Sequence, residues 1–558
     1  MLSLFTTLLF VSAQSVGGNS DLLHQWDGNV NTGWFGYSVD SAGDVNNDGI
    51  PDQIVGNPQA APGGFTNAGS VTVYSGADGA LLYQWNGVSA SDFFGHSVAP
   101  AGDVNQDGFD DVLVGGYGMD GGGLNGSGSA FLYSGFDGSI LFQWNGAVVN
   151  EQLGYSVASA GFINLDTIPD IIIGSPQANP GGDLYAGIAT IYSGADASQL
   201  YQFRGTFPDD KMGNSVSSAG DVNGDGIGDV IVAAREADLF YPFGPTDVGS
   251  AFVFSGADGS QLYRWDGNDL GIALQVSGAG DVDGDGFDDI MFNDPYSYTL
   301  SLTWMGRVWV YSGATGALLH RFEGTADYDT LGDSINSVGD VNGDGCDDLL
   351  IGASGSTNTV GYANLYSGKD GTRLHQFQGH TSLDRFGWSS ANAGDVDGDG
   401  NTDFLIGAFT ADPAGITDAG SVFVYTYLPL LESNTNQIPA AAGATLDLTL
   451  DFPDSAATYE YITLMSLGGT GPVFYGTNIP LTVDSYLLDS AAGIYPFNTT
   501  ANLQGTLDAN GDGTASITFA PGAFNFAVGY TFWLAAVAFP SGQLPELSSV
   551  VIPVEFIP

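Results

Sequence analysis

Seven copies of one acidic loop, four short strand-like runs in each copy, and an orphan strand-like run ahead of the first copy predict an all-β chain. The expected architecture is a seven-bladed β-propeller of four-stranded blades, closed by an N-terminal strand and followed by a small β-sandwich-like domain. Length agrees with this division, because 558 residues exceed one ordinary core.

The loop returns at a near-constant interval. Its first position falls at Asp44, Asp103, Phe162, Asp221, Asp281, Asp340 and Asp395, with spacings of 59, 59, 59, 60, 59 and 55 residues. The first unit sets the pattern: "FGYSVDSAGDV", the acidic loop, "DQIVG", a variable segment, "GSVTVYSG" and "ADGALLYQWNG". Alternating apolar residues bounded by Gly and Asp predict antiparallel strands, with the Ser-Gly-Ala-Asp-Gly run at 75–79 as a hairpin turn.

The two ends of the array complement each other. The last unit stops after "GSVFVY" at 420–425, without a fourth strand, whereas "DLLHQWDG" at 21–28 is a fourth strand without a blade. Pairing them completes blade seven and removes two open sheet edges. Trp26, Trp85, Trp144 and Trp265 occupy one fixed position of the fourth strand, and their repetition predicts packing between blades.

Outside the array, residues 1–13 read as a signal peptide, with an apolar stretch from Leu2 to Val11 and a small-residue end but no basic n-region. The propeller is expected over 20–427, a linker over 428–439, and the β-sandwich-like domain over 440–558. Within the tail, "DANGDGTAS" at 508–516 copies the loop opening but carries Ser516 at position 9, which favours a hairpin turn.

Charge narrows the partners. There are 63 acidic and 9 basic residues, a formal net charge of −54, and 56 of the acids are Asp. Such a chain does not hold a polyphosphate backbone or an anionic membrane surface, so neither nucleic acid nor membrane insertion is expected. Asp in preference to Glu points to turns and cation ligation. Cys346 is the sole cysteine, so no intramolecular disulfide forms, and packing or metal must hold the core.

Each acidic loop offers side-chain oxygens at positions 1, 3, 5 and 9, Gly at 6 for a sharp turn, and a backbone carbonyl at 7. Hard oxygen donors in that number suit Ca²⁺. Six loops are intact: Asp44, Asn46, Asp48, Ile50 and Asp52; Asp103, Asn105, Asp107, Phe109 and Asp111; Asp221, Asn223, Asp225, Ile227 and Asp229; Asp281, Asp283, Asp285, Phe287 and Asp289; Asp340, Asn342, Asp344, Cys346 and Asp348; Asp395, Asp397, Asp399, Asn401 and Asp403. About six structural ions are expected. The third copy has Phe162 at position 1 and Thr167 at position 6 and is expected to bind none. An EF-hand would need Glu at position 12, where Val55 stands, and a following helix, as would a dockerin-like repeat. Cys346 contributes only its carbonyl, so its thiol is a bystander. Plain Asp-Gly turns remain the alternative, against which stands the acid at position 9 of every copy.

The Phe-Gly pairs at 35–36, 94–95 and 386–387, the "AGDVNxDGxxD" text, and Gly-Asn-Pro at 56–58 with Gly-Ala-Phe at 407–409 resemble the FG-GAP repeat, the unit of the integrin alpha-subunit N-terminal seven-bladed propeller. The resemblance covers about residues 21–427 and implies the same ion, an extracellular or cell-surface setting, and ligands meeting the face opposite the calcium loops. With no transmembrane stretch or inserted adhesive domain, receptor signalling is not expected to transfer.

That opposite face, formed by the connections between strands two and three and between blades, carries the variable text. Phe240, Tyr241, Tyr296, Tyr298 and Trp304 are its candidate anchors for a protein or glycan; covering of blade edges is the plainer alternative. Catalysis is not expected. Arg204, Arg264 and Arg321 fall on outer fourth strands with His24, His320 and His375, His96 and His380 stand alone, and no Gly-x-Ser-x-Gly, His-Glu-x-x-His or phosphate loop occurs. The expected function is therefore a secreted, calcium-binding adhesion or ligand-binding module. A structural surface or matrix protein and a carbohydrate-active hydrolase are the alternatives.

Overall fold

The computed structural model describes residues 19–428 apart from 165, 239–247, 268–273, 300 and 356–359, and within 429–558 a set of strands. The signal-peptide segment 1–13 and the turn residues 508–511 lie outside the described residues.

Seven four-stranded antiparallel sheets follow one another along the chain. In blade one Ser38–Gly43, Asp52–Asn57, Ser70–Tyr74 and Leu81–Asn86 pair in sequence order. The second strand, with the apolar Ile54 and Val55 at its centre, is buried at every residue, because neighbouring blades cover both of its faces. The fourth strand alternates and is mostly open to solvent, as an outer strand should be. Five further blades repeat the order.

Blade seven closes the ring as expected from the chain ends. Phe386–Gly394, Asp403–Ala408 and Ser421–Leu428 are completed by Asn19–Asp27, with Trp26 opposite Val422 and a bulge between Leu22 and His24.

One aromatic contact marks each seam. Trp26 stacks on Tyr74 of the next blade at 4.8 Å and donates its indole N–H to the Gly79 carbonyl at 3.0 Å. Trp85 repeats this with Tyr133 at 4.4 Å, and Trp144 and Trp265 pack on Tyr192 and Tyr311 at 5.4 and 5.1 Å. Where tryptophan is missing a phenylalanine substitutes: Phe203 on Phe254, Phe322 on Tyr366 and Phe377 on Tyr425. The seam position is thus occupied by a ring in all seven blades, and the tryptophans are packing residues.

The first strands surround a central cavity of about 460 Å³, walled chiefly by Ser, Ala, Val and Asn side chains. In the C-terminal region Ala444–Asp451 pairs with Leu431–Ser433 and Asp512–Phe519, and Thr531–Phe539 pairs with Glu460–Ser466 and Ile552–Ile557. Within 428–439, expected to be a linker, 431–433 and 437–439 are strands of these sheets. Backbone pairing there overrides a polar, Pro-containing composition.

Candidate metal centres

The acidic loops join strands one and two of each blade. The carboxylate at position 1 folds the loop on itself: Asp44 accepts the N–H groups of Asp48 and Gly49 at 3.0 and 2.8 Å. Asp103, Asp221, Asp281 and Asp340 accept from the same two positions, and Asp395 from Gly398 and Gly400. Gly49 has φ +90 with open space around a notional Cβ, so glycine at position 6 answers a backbone requirement and not crowding.

Position 9 has a different task. Asp52 is fully buried; one carboxylate oxygen accepts the Val45 N–H at 3.0 Å and the other the N–H of Gly76, in the hairpin between strands three and four, at 3.0 Å. The same bracket recurs at Asp111, Asp170, Asp229, Asp289 and Asp348. Asp170 belongs to the third loop, which lacks the acid at position 1. Acid at position 9 is therefore explained by folding alone, and its regularity does not separate ion loops from turns; the acid at position 1 and the glycine at position 6, which loop three replaces with Phe162 and Thr167, must do so. Burial, opposed by these backbone donors and reinforced by the acids at positions 1 and 5, pushes the Asp52 carboxyl up to about 7. Burial likewise raises Asp111, Asp229 and Asp289 to about 7 and Asp348 well above the usual carboxylate range.

Donor chemistry and geometry fit a hard cation. In loop five the carboxylates of Asp281, Asp283 and Asp285 bring oxygens within 4.8 Å of one another, and in loop seven Asp395, Asp397 and Asp403 do the same. Among the described residues two buried loop oxygens lack a partner, Oδ1 of Asn46 and Oδ1 of Asp403. The second follows from topology, since blade seven takes its outer strand from the N-terminus and has no hairpin glycine to donate. Loop six carries a local cation: Lys369 donates to the Asp344 carbonyl at 2.7 Å, and Ser367 to the Asp344 carboxylate at 3.2 Å. Cys346 is buried there, its thiol pushed up to about 11 by burial and by Asp344, which suits a bystander.

On the opposite face Tyr296, Tyr298 and Trp304 are 43%, 57% and 44% exposed, and Tyr296 and Trp304 meet edge to face at 5.7 Å. Phe240 and Tyr241 lie outside the described residues. The fold also brings together residues that sequence reading passed over. His96, taken as standing alone, packs between Tyr37 at 5.3 Å and Tyr155 and Tyr117 at 4.7 Å, and burial lowers it to about 4. Tyr37 further contacts Trp34, Trp388 and Phe409, so an aromatic arc rims the channel from blade seven to blade three. The signal was present in the alignment: Tyr37, His96, Tyr155 and Trp388 all precede the same position of the first strand, after the Phe-Gly or Leu-Gly pair.

With the blades and loops in place, comparison with known proteins becomes specific. The FG-GAP repeat family matches residues 35–74, 212–254, 334–368 and 386–425, which fall in blades one, four, six and seven. Four blades are FG-GAP repeats. Integrin alpha-4 of Xenopus laevis is 31% identical over 253 residues, 42% of this chain and 23% of its own length. Integrin alpha-V of Gallus gallus is 30% identical over 219 residues, 37% and 20% respectively. The chain thus spans about a fifth of the length of these relatives. A solved structure described as "Structure of Dos1 propeller" superposes on 67% of this chain and 74% of its own at TM-score 0.39 and 11% identity. Among the described residues no helix is long and apolar enough to cross a membrane.

Proposed function

We propose that the chain is a secreted, calcium-stabilised FG-GAP propeller serving as an adhesion or ligand-binding module, with structural Ca²⁺ in six of its seven blade loops. The observation that carries this reading is the contrast among the loops. Six have oxygen donors at positions 1, 3 and 5 around a glycine-permitted turn, with carboxylates converging in loops five and seven, while loop three keeps the position-9 bracket and Asn164 and Asp166 at positions 3 and 5 but has Phe162 for the first donor and Thr167 for the turn glycine. Membership of the repeats in the FG-GAP family and similarity to integrin alpha chains support the same ion and an extracellular setting. In each loop the backbone supplies the turn and the acids supply the ligands. The bound ion offsets the repulsion of carboxylates that folding brings together.

The partner, a protein or glycan, belongs on the face that carries Tyr296, Tyr298, Trp304 and the aromatic arc, away from the ion loops. Calcium titration of chelator-stripped protein, with melting followed with and without Ca²⁺, tests the ion. About six ions and a large rise in melting temperature are expected; no binding would defeat the reading. Screening on immobilised glycans and matrix proteins tests the face, with Tyr296→Ala and Trp304→Ala expected to abolish any capture. Capture insensitive to both would place the partner elsewhere.

A further inference from the structure

Position 8 of the acidic loop varies around the ring: Pro51, Asp110, Pro169, Gly228, Asp288, Asp347 and Thr402. Where it is aspartate, the residue reaches the preceding blade and makes two reciprocal hydrogen bonds. The Asp44 N–H donates to Oδ2 of Asp110 at 2.8 Å, and the Asp110 N–H donates to the Asp44 carbonyl at 3.1 Å. Asp221 and Asp288 are joined in the same way at 2.7 and 3.4 Å, and Asp281 and Asp347 at 3.0 and 3.0 Å. The glycine ahead of position 1 leaves the space. A Cβ on Gly43, Gly220 or Gly280 would stand 2.3, 2.2 or 2.0 Å from the incoming carboxylate oxygen. At the corresponding Gly102 and Gly394 the neighbour is instead a proline ring, Pro169 or Pro51, and at Gly339 nothing lies within 4 Å.

Each clamp begins one residue before the position-9 bracket of one loop and ends on the position-1 aspartate of another. That aspartate is the loop's first proposed ligand, and its carboxylate already gathers the N–H groups of positions 5 and 6. We infer that the three clamps couple ion binding between neighbouring loops, joining loops one and two into a pair and loops four, five and six into a row, while loop seven binds alone. The inference rests on the calcium reading of the loops. An ion at loop four fixes the Asp221 backbone; the clamp then orders Asp288, so the ion at loop five meets a loop whose ordering costs less, and the coupling is reciprocal. A carboxylate between two sites also offsets the repulsion of two dications.

Calorimetric titration of the full, chelator-stripped chain with Ca²⁺ distinguishes the possibilities. The unaltered protein is expected to bind more steeply than independent sites allow. Asp110→Ala, Asp288→Ala and Asp347→Ala combined should keep the number of ions and reduce the Hill coefficient to about 1. Asn at the same positions keeps the acceptor and should keep the steepness while weakening affinity. Thr402→Asp builds a clamp toward Asp340 and should draw loop seven into the row; this variant removes nothing and keeps the test valid if the Ala variants fail to fold. Asp225→Ala, which disables loop four, should weaken loop five about 5-fold or more, an effect that Asp288→Ala abolishes. An unchanged ion count with independent binding in the unaltered chain, or steepness indifferent to all these changes, overturns the coupling and leaves the loops as ion sites. Absence of any ion binding overturns the calcium reading, and the coupling with it.

Discussion

Asp170 accepts the backbone N–H of Gly194 at 3.1 Å and so ties a strand one to strand two loop to the hairpin of the same blade, although its loop has Phe162 in place of the usual first aspartate. The acid at position 9 is thus a part of the blade itself. Asp170→Ala would strand the N–H groups of Ile163 and Gly194 and is expected to cost about 2 kcal/mol or more of stability. Ion stoichiometry should not change. Denaturant unfolding beside a calcium titration checks both halves.

Metal-free protein should lose stability as pH rises. The carboxyls of Asp52, Asp111, Asp229, Asp289 and Asp403 are pushed by burial to about 7, above their unfolded values, so the folded state holds more protons than the unfolded one through the interval between. Their contribution is complete below about pH 4 and is lost as pH passes about 7. Melting temperatures of chelator-treated protein should fall from pH 5 to pH 8. Saturating Ca²⁺, which favours the ionised form, should flatten or reverse the slope.

Lys369 lies at only one of the six hairpins, beside Asp344 of loop six. Lys369→Ala removes a competing cation and should tighten Ca²⁺ binding at one site by a few-fold, about the effect of one exposed charge. Raising the salt concentration should erase the difference. Titration of both proteins at low and high ionic strength gives the answer.

Trp26 is the latch. It is 9% exposed, stacks on Tyr74 at 4.8 Å, and sits on a strand contributed from the far end of the chain. Trp26→Ala is expected to cost about 3–5 kcal/mol. Unlike Trp85→Ala at an internal seam, it should also release Asn19–Asp27 from Ser421–Leu428 and bare a sheet edge. Melting followed by light scattering should show association only for the latch variant.

Much of this was legible in the sequence, because it is written in local terms. Period-two alternation marks the strands, glycine at position 6 marks a turn that needs positive φ, and the 59-residue interval repeats both. The strandless last unit and the bladeless "DLLHQWDG" were enough to infer closure, since each leaves an edge that only the other matches.

What the tertiary structure alone decided is which of these residues meet across the seams. Asp44 and Asp110 are 66 residues apart, and Trp26 and Gly79 are 53 apart. No local pattern distinguishes an aspartate at position 8 that clamps the preceding blade from one that faces water. His96 shares its repeat position with Tyr37, Tyr155 and Trp388, but that these rings touch was settled only by the fold, because Tyr37 and Tyr155 come from blades on either side. Alternation and turn chemistry act within a blade and determine it; contacts between blades depend on how seven sheets rotate about a common axis, and only ring closure sets that rotation.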